Sequence, residues 1–418
     1  MASDFLDVAT ENRAQADARL REMPSLATAS PFHALVLGDI TAVGRALDDG
    51  TLDPRAHGGP LHMTPLLYVC FSRYLQRDSP RAPALVDTAR LLLARGADPN
   101  ATVEFPQYPG NPFPCLYGAT GYNNNPDLTR VLIAAGARVD DEESIYHSTE
   151  HADLECLRLL LEPRPRIREH VLKHMLDRED VAGVTLLLDA GADPDEPNGR
   201  GETALHWAVW RDRSPAIVRV LIARGATIDA RRTDGRTAYA MAVVFGREAL
   251  AATLREAGAG TAISDVDRYV LACASGESPA TPPPVTAADA QLLPDLADAG
   301  HGAAVLGLLA AGVGAAGVSL EATGEHGATA LHFACWRGHD VLVTALLARG
   351  AGTTMTDRTF RATPPGWLIH GARFCEEPRG DYAAALRALF DAGAAVTADG
   401  PTGRPEVDAI LRERGVLR

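Results

Sequence analysis

The chain has 418 residues, with 54 acidic against 40 basic side chains and a formal net charge of −14 at pH 7. With 46% apolar and 22% charged residues it can bury a large core and is not globally disordered. That acidity argues against nucleic acid as a partner, because phosphate binding needs a basic surface. Aromatics make up only 6%, and the apolar share leans on Ala and Leu, which favours thin, closely packed helices over a sandwich of large side chains. Length alone would suggest two to four globular domains.

The first segment, MASDFLDVATENRAQADARLREMP, lacks the basic start and apolar core of a signal peptide. Phe5, Val8, Ala9, Ala16 and Leu20 fall at helical spacing among charges, so residues 1–29 are expected to form an amphipathic N-terminal capping helix. From residue 30 onward one string recurs: RALDDG ending at Gly50, RLLLARGADPN at Gly96, RVLIAAGARVD at Gly136, TLLLDAGADPD at Gly191 and RVLIARGATID at Gly225. It continues with ATLREAGAG at Gly258, LGLLAAG at Gly312, TALLARGAG at Gly350 and RALFDAGAAV at Gly393. Each is an apolar helical run closed by a glycine where a left-handed residue is expected. Gly191 to Gly225 is 34 residues and Gly225 to Gly258 is 33. A second string precedes it in several units: GETALHWAVWRD from Gly201, GATALHFACWRG from Gly327, and more loosely MTPLLYVCFSR from Met63 and RTAYAMAVVFG from Arg236.

Departures from the period are equally readable. Residues 30–265 form one run of repeats, irregular around 141–166, where LECLRLLLEPRP closes on Pro163. Residues 266–288 offer a first-helix candidate, DRYVLACASGE, then prolines at 282–284, and are expected to be a degenerate half-repeat with a stiff bridge. Repeats resume over 289–400, and residues 401–418 are expected to carry a C-terminal capping helix. Gly302–Leu320 is uncharged and long enough to span a bilayer, but its five glycines and its register make it a repeat helix with its loop. The six cysteines are scattered without a CxxC pair, which reads as a cytoplasmic chain with reduced thiols.

Two helices, a tight turn and an extended loop in about 33 residues, opening on a T-x-L-H string, resemble the ankyrin-repeat family, and within it the long bacterial ankyrin proteins. The resemblance runs from about Ser30 to the end and is strongest at Gly201–Asp229 and Gly327–Asp357. It implies an all-α solenoid of about ten to eleven helix pairs, one elongated body in place of separate globular domains. It also implies that Thr203 with His206, and Thr329 with His332, make structural hydrogen bonds rather than catalysis.

A solenoid binds through its groove and loop tips, each unit contributing side chains at one register. The residues closing the first helix are Trp210 and Arg211 in one strong unit and Trp336 and Arg337 in the other; looser units place Phe71, Phe245 and His370 there. Trp and Arg dominate interface energetics, so this register reads as a partner-binding surface, with packing against neighbouring helices as the alternative. The longest loop, residues 97–114, displays Phe105 and Tyr108 between prolines, with Tyr122 on the turn beyond. The expected function is non-catalytic recognition of another protein by a monomer, without cofactor, nucleic acid or membrane. A metal-binding or enzymatic protein built on the His147–His174 region is the alternative, since His147/His151 and His170/His174 have the i,i+4 spacing of a zinc pair. The spacing lacks the HExxH glutamate, and GVGAAG at 312–317 has neither a preceding strand nor a following Lys to make a phosphate loop.

Overall fold

The computed structural model describes residues 2–417 apart from 278, 280, 282, 311–318 and 376–379, with side chains from Phe5 onward. The closing glycine expected at Gly312, the glycine-rich 312–317 string and Pro282 therefore lie outside the described residues. The chain divides into two compact units, Met1–Glu196 and Pro197–Arg418, the division falling inside the run that the sequence reads as continuous over 30–265.

In the first unit the helices are α1 (Ala2–Glu11), α2 (Arg13–Glu22), α3 (Pro31–Leu37), α4 (Ile40–Asp48), α5 (Pro65–Phe71) and α6 (Ala82–Ala94). They continue with the short α7 (Cys115–Tyr117), α8 (Pro126–Ala134), α9 (Glu143–Ser148), α10 (Glu155–Leu161), α11 (Glu169–Leu176) and α12 (Val181–Asp189). The second unit holds α13 (Ala204–Trp210), α14 (Pro215–Ala223), α15 (Ala238–Val244), α16 (Glu248–Glu256), α17 (Asp265–Ala274) and α18 (Leu292–Asp298). It ends with α19 (Gly302–Ala310), α20 (Ala330–Trp336), α21 (Asp340–Ala348), α22 (Pro364–Phe374), α23 (Tyr382–Asp391) and α24 (Pro405–Glu413).

Consecutive helices pack as antiparallel pairs from α3/α4 through α11/α12, and again as α13/α14, α15/α16, α18/α19, α20/α21 and α22/α23. The leucines of the recurring string explain this: Leu92, Leu187, Leu221, Leu346 and Leu389 are fully buried, each such burial stabilising by roughly 1.5–3 kcal/mol. The closing glycines sit at φ between +75° at Gly50 and +105° at Gly191, where a Cβ would be strained. Among the described residues the half-repeat helix α17 is followed by no second helix of its own, and it packs on α15 and α19.

The N-terminal stripe breaks into two helices where the sequence suggests one. Asn12 leaves the helical region (φ −146°) and its side chain caps α2 by accepting from the Gln15 amide at 3.1 Å, the usual preference of Asn at such a position. Residues 97–114, read as an irregular proline-rich loop, contain a two-stranded antiparallel ribbon, β1 (Thr102–Glu104) against β2 (Pro112–Pro114).

The T-x-L-H string does what the resemblance implies. The Thr203 amide donates to His206 Nδ1 at 3.2 Å, and His206 Nε2 meets the Arg236 carbonyl, 30 residues on, at 3.3 Å. His332 repeats the geometry with Thr329 (3.1 Å) and the Ala362 carbonyl (3.2 Å). One ring thus caps its own helix and ties it to the next unit. An accepting Nδ1 puts the proton on Nε2, so both rings are neutral. Burial, with the charge of Arg232, pushes the His206 pKa down to about 4.

A buried ion cluster fixes α17 and α18 against the preceding loop tips. Arg232 reaches Glu202 and Asp295 at 3.0 Å each and pairs with Asp234; Arg236 reaches Asp267 at 2.8 Å and Asp289 at 2.9 Å; Arg200 grips both Asp295 oxygens at 2.6 Å. Burial favours a neutral Asp234, but the hydrogen bond and charge of Arg232 prevail and hold its carboxyl down at about 2.

Candidate functional site

In the second unit α18, α20 and α22 pack side by side, so residues at their C-terminal ends share one surface. Trp336 ends α20 and lines a cleft of about 490 Å³ together with Phe333, Phe360, Trp367, His370 and Asp298. Trp367 is its organising residue. Its ring centroid lies 5.5 Å from Phe333, 5.9 Å from Phe360 and 6.3 Å from Trp336, each at 67–82°, the edge-to-face geometry aromatic quadrupoles favour. Its indole N–H donates to Asp357 at 2.9 Å, and Asp357 also accepts from the Phe360 amide (2.5 Å) and the Ala362 amide (2.9 Å). One buried carboxylate therefore fixes both the ring and the loop that carries Phe360. Phe360 in this lining is 63% exposed, as is Phe374, which packs on His370 one turn before it in α22.

An adjoining cleft of about 470 Å³ shares Glu325 and His326 with the first and is lined by Trp207, Trp210 and Arg200. The Arg211 guanidinium lies 5.0 Å from the Trp207 ring centroid and 5.1 Å from that of Trp210, and reaches the two oxygens of Glu325 at 2.9 and 3.2 Å. All four tryptophans of the chain line one or other cleft. Asp298, at the end of α18, lines the first cleft. Burial and the charge of Glu325 push its carboxyl up to about 6, against the opposing pull of Arg337 and Arg211.

The residues at the common register fare differently. Trp336 and Arg337 are half-buried and His370 exposed, and Trp336 and His370 open onto the cleft. Arg337 donates to the Asp298 carbonyl instead. Trp210 is 6% exposed beneath Arg211. Phe71 and Phe245 are corrections: both are buried in the core, Phe71 by Phe105, Tyr117 and Tyr122, and Phe245 by a stacked His301. A ring with no exposed area offers nothing to a partner. In the first unit Phe105 folds back onto Phe71 (5.3 Å), and Tyr122 is held by its hydroxyl on the Thr10 carbonyl (2.6 Å) and by Arg73 over its face (3.5 Å). Tyr108, packed edge-on against Phe113, remains 56% exposed. Sequence reasoning missed Trp207, Trp367, Phe360, Glu325 and Asp298. The rarity of tryptophan was the available signal for two of them.

Of the two i,i+4 histidine pairs only His170 and His174 share a helix, α11, and both of their rings pack on Tyr146. α9 ends at Ser148, so His147 and His151 do not share a helix. His147 contacts Glu143 (3.3 Å) and Glu150 (2.8 Å), which raise its pKa against the effect of burial. His151 meets the Gly121 carbonyl at 2.8 Å. His174 bonds the Thr149 hydroxyl at 2.8 Å and stacks on Tyr146 at 3.9 Å. Among the described residues no group of three or more His, Cys, Asp or Glu could hold a metal ion, and no helix is long and apolar enough to cross a membrane.

Helix pairs of about 33 residues, opened by a Thr–His cap and closed by a left-handed glycine, define an α-helical repeat protein. A family profile described as "Ankyrin repeats (3 copies)" matches residues 172–265, and one described as "Ankyrin repeat" matches residues 326–358. These two stretches carry ankyrin repeats, in agreement with the family that the sequence resembles. The chain is 41% identical over 83 residues to Protein PhlB of Serratia liquefaciens, a match covering 20% of this chain and 36% of that protein's length. Among solved structures it is similar to the human ASB11 ankyrin repeat domain, at 20% identity and a TM-score of 0.43 over 56% of this chain and 100% of that one. It is also similar to the ankyrin repeat domain of Bcl-3, at 22% identity and a TM-score of 0.27 over 59% of this chain and 97% of that one.

Proposed function

We propose that this chain is a non-catalytic recognition protein that binds a protein partner through the aromatic clefts of its second unit. The observation that carries the reading is the gathering of all four tryptophans onto two adjoining clefts with two exposed phenylalanines nearby. Exposed aromatic anchors in preformed concave sites are where binding energy concentrates, and helix pairs held by buried leucines lose little entropy on binding. Partner contact is assigned to Trp336, Arg211 and His370, joined by Trp207, Trp367 and Phe360, while Tyr108 offers a separate exposed ring on the first unit.

The test uses the full chain as bait in host extract, beside Phe360→Ala and Tyr108→Ala baits of equal helicity. The reading expects a polypeptide recovered by the parent and Tyr108→Ala baits and lost with Phe360→Ala. Equal recovery on all three would refute the cleft as the binding surface.

A further inference from the structure

We propose that the Trp336–Trp367 cleft takes an arginine side chain of the protein partner, its guanidinium lying on the aromatic wall and reaching the Asp298 carboxylate. This rests on the cleft being the partner site.

The lining selects the ligand. Six aromatic or imidazole rings meet the Asp298 carboxylate and the Arg211–Glu325 ion pair in one cleft of about 490 Å³. An apolar side chain seated there would strip water from the Asp298 carboxylate without replacing its hydrogen bonds, Glu325 being already paired with Arg211. An acidic one would face like charge on a chain of net charge −14. A guanidinium suits both halves of the lining: its plane stacks on rings and its donors fork onto carboxylates, whereas an ammonium is a strongly hydrated point charge.

One wall of the same cleft already contains that arrangement, supplied by Arg211. Arg211 lies against the Trp207 and Trp210 rings and forks onto Glu325 at 2.9 and 3.2 Å. Trp336, Trp367 and Asp298 supply the same kinds of group elsewhere in the lining, and Phe360, 63% exposed, offers apolar surface for the aliphatic stem of an incoming side chain. The raised pKa of Asp298 fits the same picture, since a carboxyl short of compensating charge gains from a bound cation.

The full chain is titrated with a Gly/Ser decapeptide bearing one central arginine, and with its lysine, leucine and glutamate counterparts, followed by tryptophan emission and calorimetry. The arginine peptide is expected to give a saturable signal at least about tenfold tighter than the leucine or glutamate peptide, with lysine between. Asp298→Asn is expected to weaken it about tenfold or more, the unfolding midpoint staying within a degree or two. Phe360→Ala, at an exposed rim position that leaves the core intact, is expected to weaken it several-fold. Leucine binding as well as arginine, lysine binding as tightly as arginine, or indifference to Asp298→Asn overturns the proposal. Should the partner be lost with Phe360→Ala yet not be displaced by the arginine peptide, the arginine inference falls and the recognition reading stands. A partner retained by Phe360→Ala removes the cleft as the binding surface, and the arginine inference with it.

Discussion

Neutral His206 makes the second unit acid-sensitive by a calculable amount. The ring is 1% exposed, accepts the Thr203 amide on Nδ1 and meets the Arg236 carbonyl through Nε2. Protonation would turn Nδ1 from acceptor to donor and place a charge near Arg232. Burial and that charge lower its pKa from 6.5 to about 4. The folded pKa lies below the unfolded one, so between the two values the unfolded chain binds more protons and stability rises with pH. The contribution is complete above about 6.5 and is lost as pH falls from there towards 4. At about pH 5 the unfolded ring is some 1.5 units below its pKa while the folded ring is still mostly neutral, which costs about 2 kcal/mol at about 1.4 per unit.

His206→Gln keeps an oxygen acceptor at the capping position but removes the titration. The assay is urea unfolding read by tryptophan emission, since all four indoles lie in this unit, at about pH 7.5 and about pH 5. The parent should lose about 2 kcal/mol more than His206→Gln over that interval. His332, also lowered by burial, leaves both proteins a residual slope of the same sign. Identical pH dependence in the two proteins would refute the neutral-cap argument.

Arg232→Met should destabilise the second unit by roughly 3–5 kcal/mol, read from urea midpoints, because Glu202, Asp234 and Asp295 stay buried without their shared cation. Gly371→Ala should cost about 1–3 kcal/mol, since a Cβ there would lie 2.2 Å from the Trp336 carbonyl oxygen and 2.9 Å from its carbon, backbone that cannot swing away. The readouts are a lower melting temperature and a red-shifted tryptophan emission as α22 is pushed off α20.

The features legible in the sequence were those that each repeat settles within itself. The xxLLxxG string sets an amphipathic helix and its left-handed stop, and both requirements arise within one turn of chain. The Thr203–His206 and Thr329–His332 caps are likewise three residues apart, so a local motif carries them, and it exposed both histidines as structural. Helix pairing followed from the spacing of the buried leucines.

What lay beyond the sequence depends on which side chains meet from different repeats. One register supplied Phe71, Trp210, Phe245 and Trp336 alike, yet Phe71 is covered by rings from the insertion after it and Phe245 by His301, while Trp336 faces open space between α20 and α22. Periodicity gives the direction in which a side chain leaves its helix; what stands in front of it is decided by loops of unequal length and by the half-repeat at α17. The cleft is tertiary for the same reason: Asp298, Glu325, Trp336 and Trp367 come from four segments spanning 70 residues. Charge and length bounded what the chain could bind. Tertiary packing alone decided where a cation could find rings and a carboxylate together.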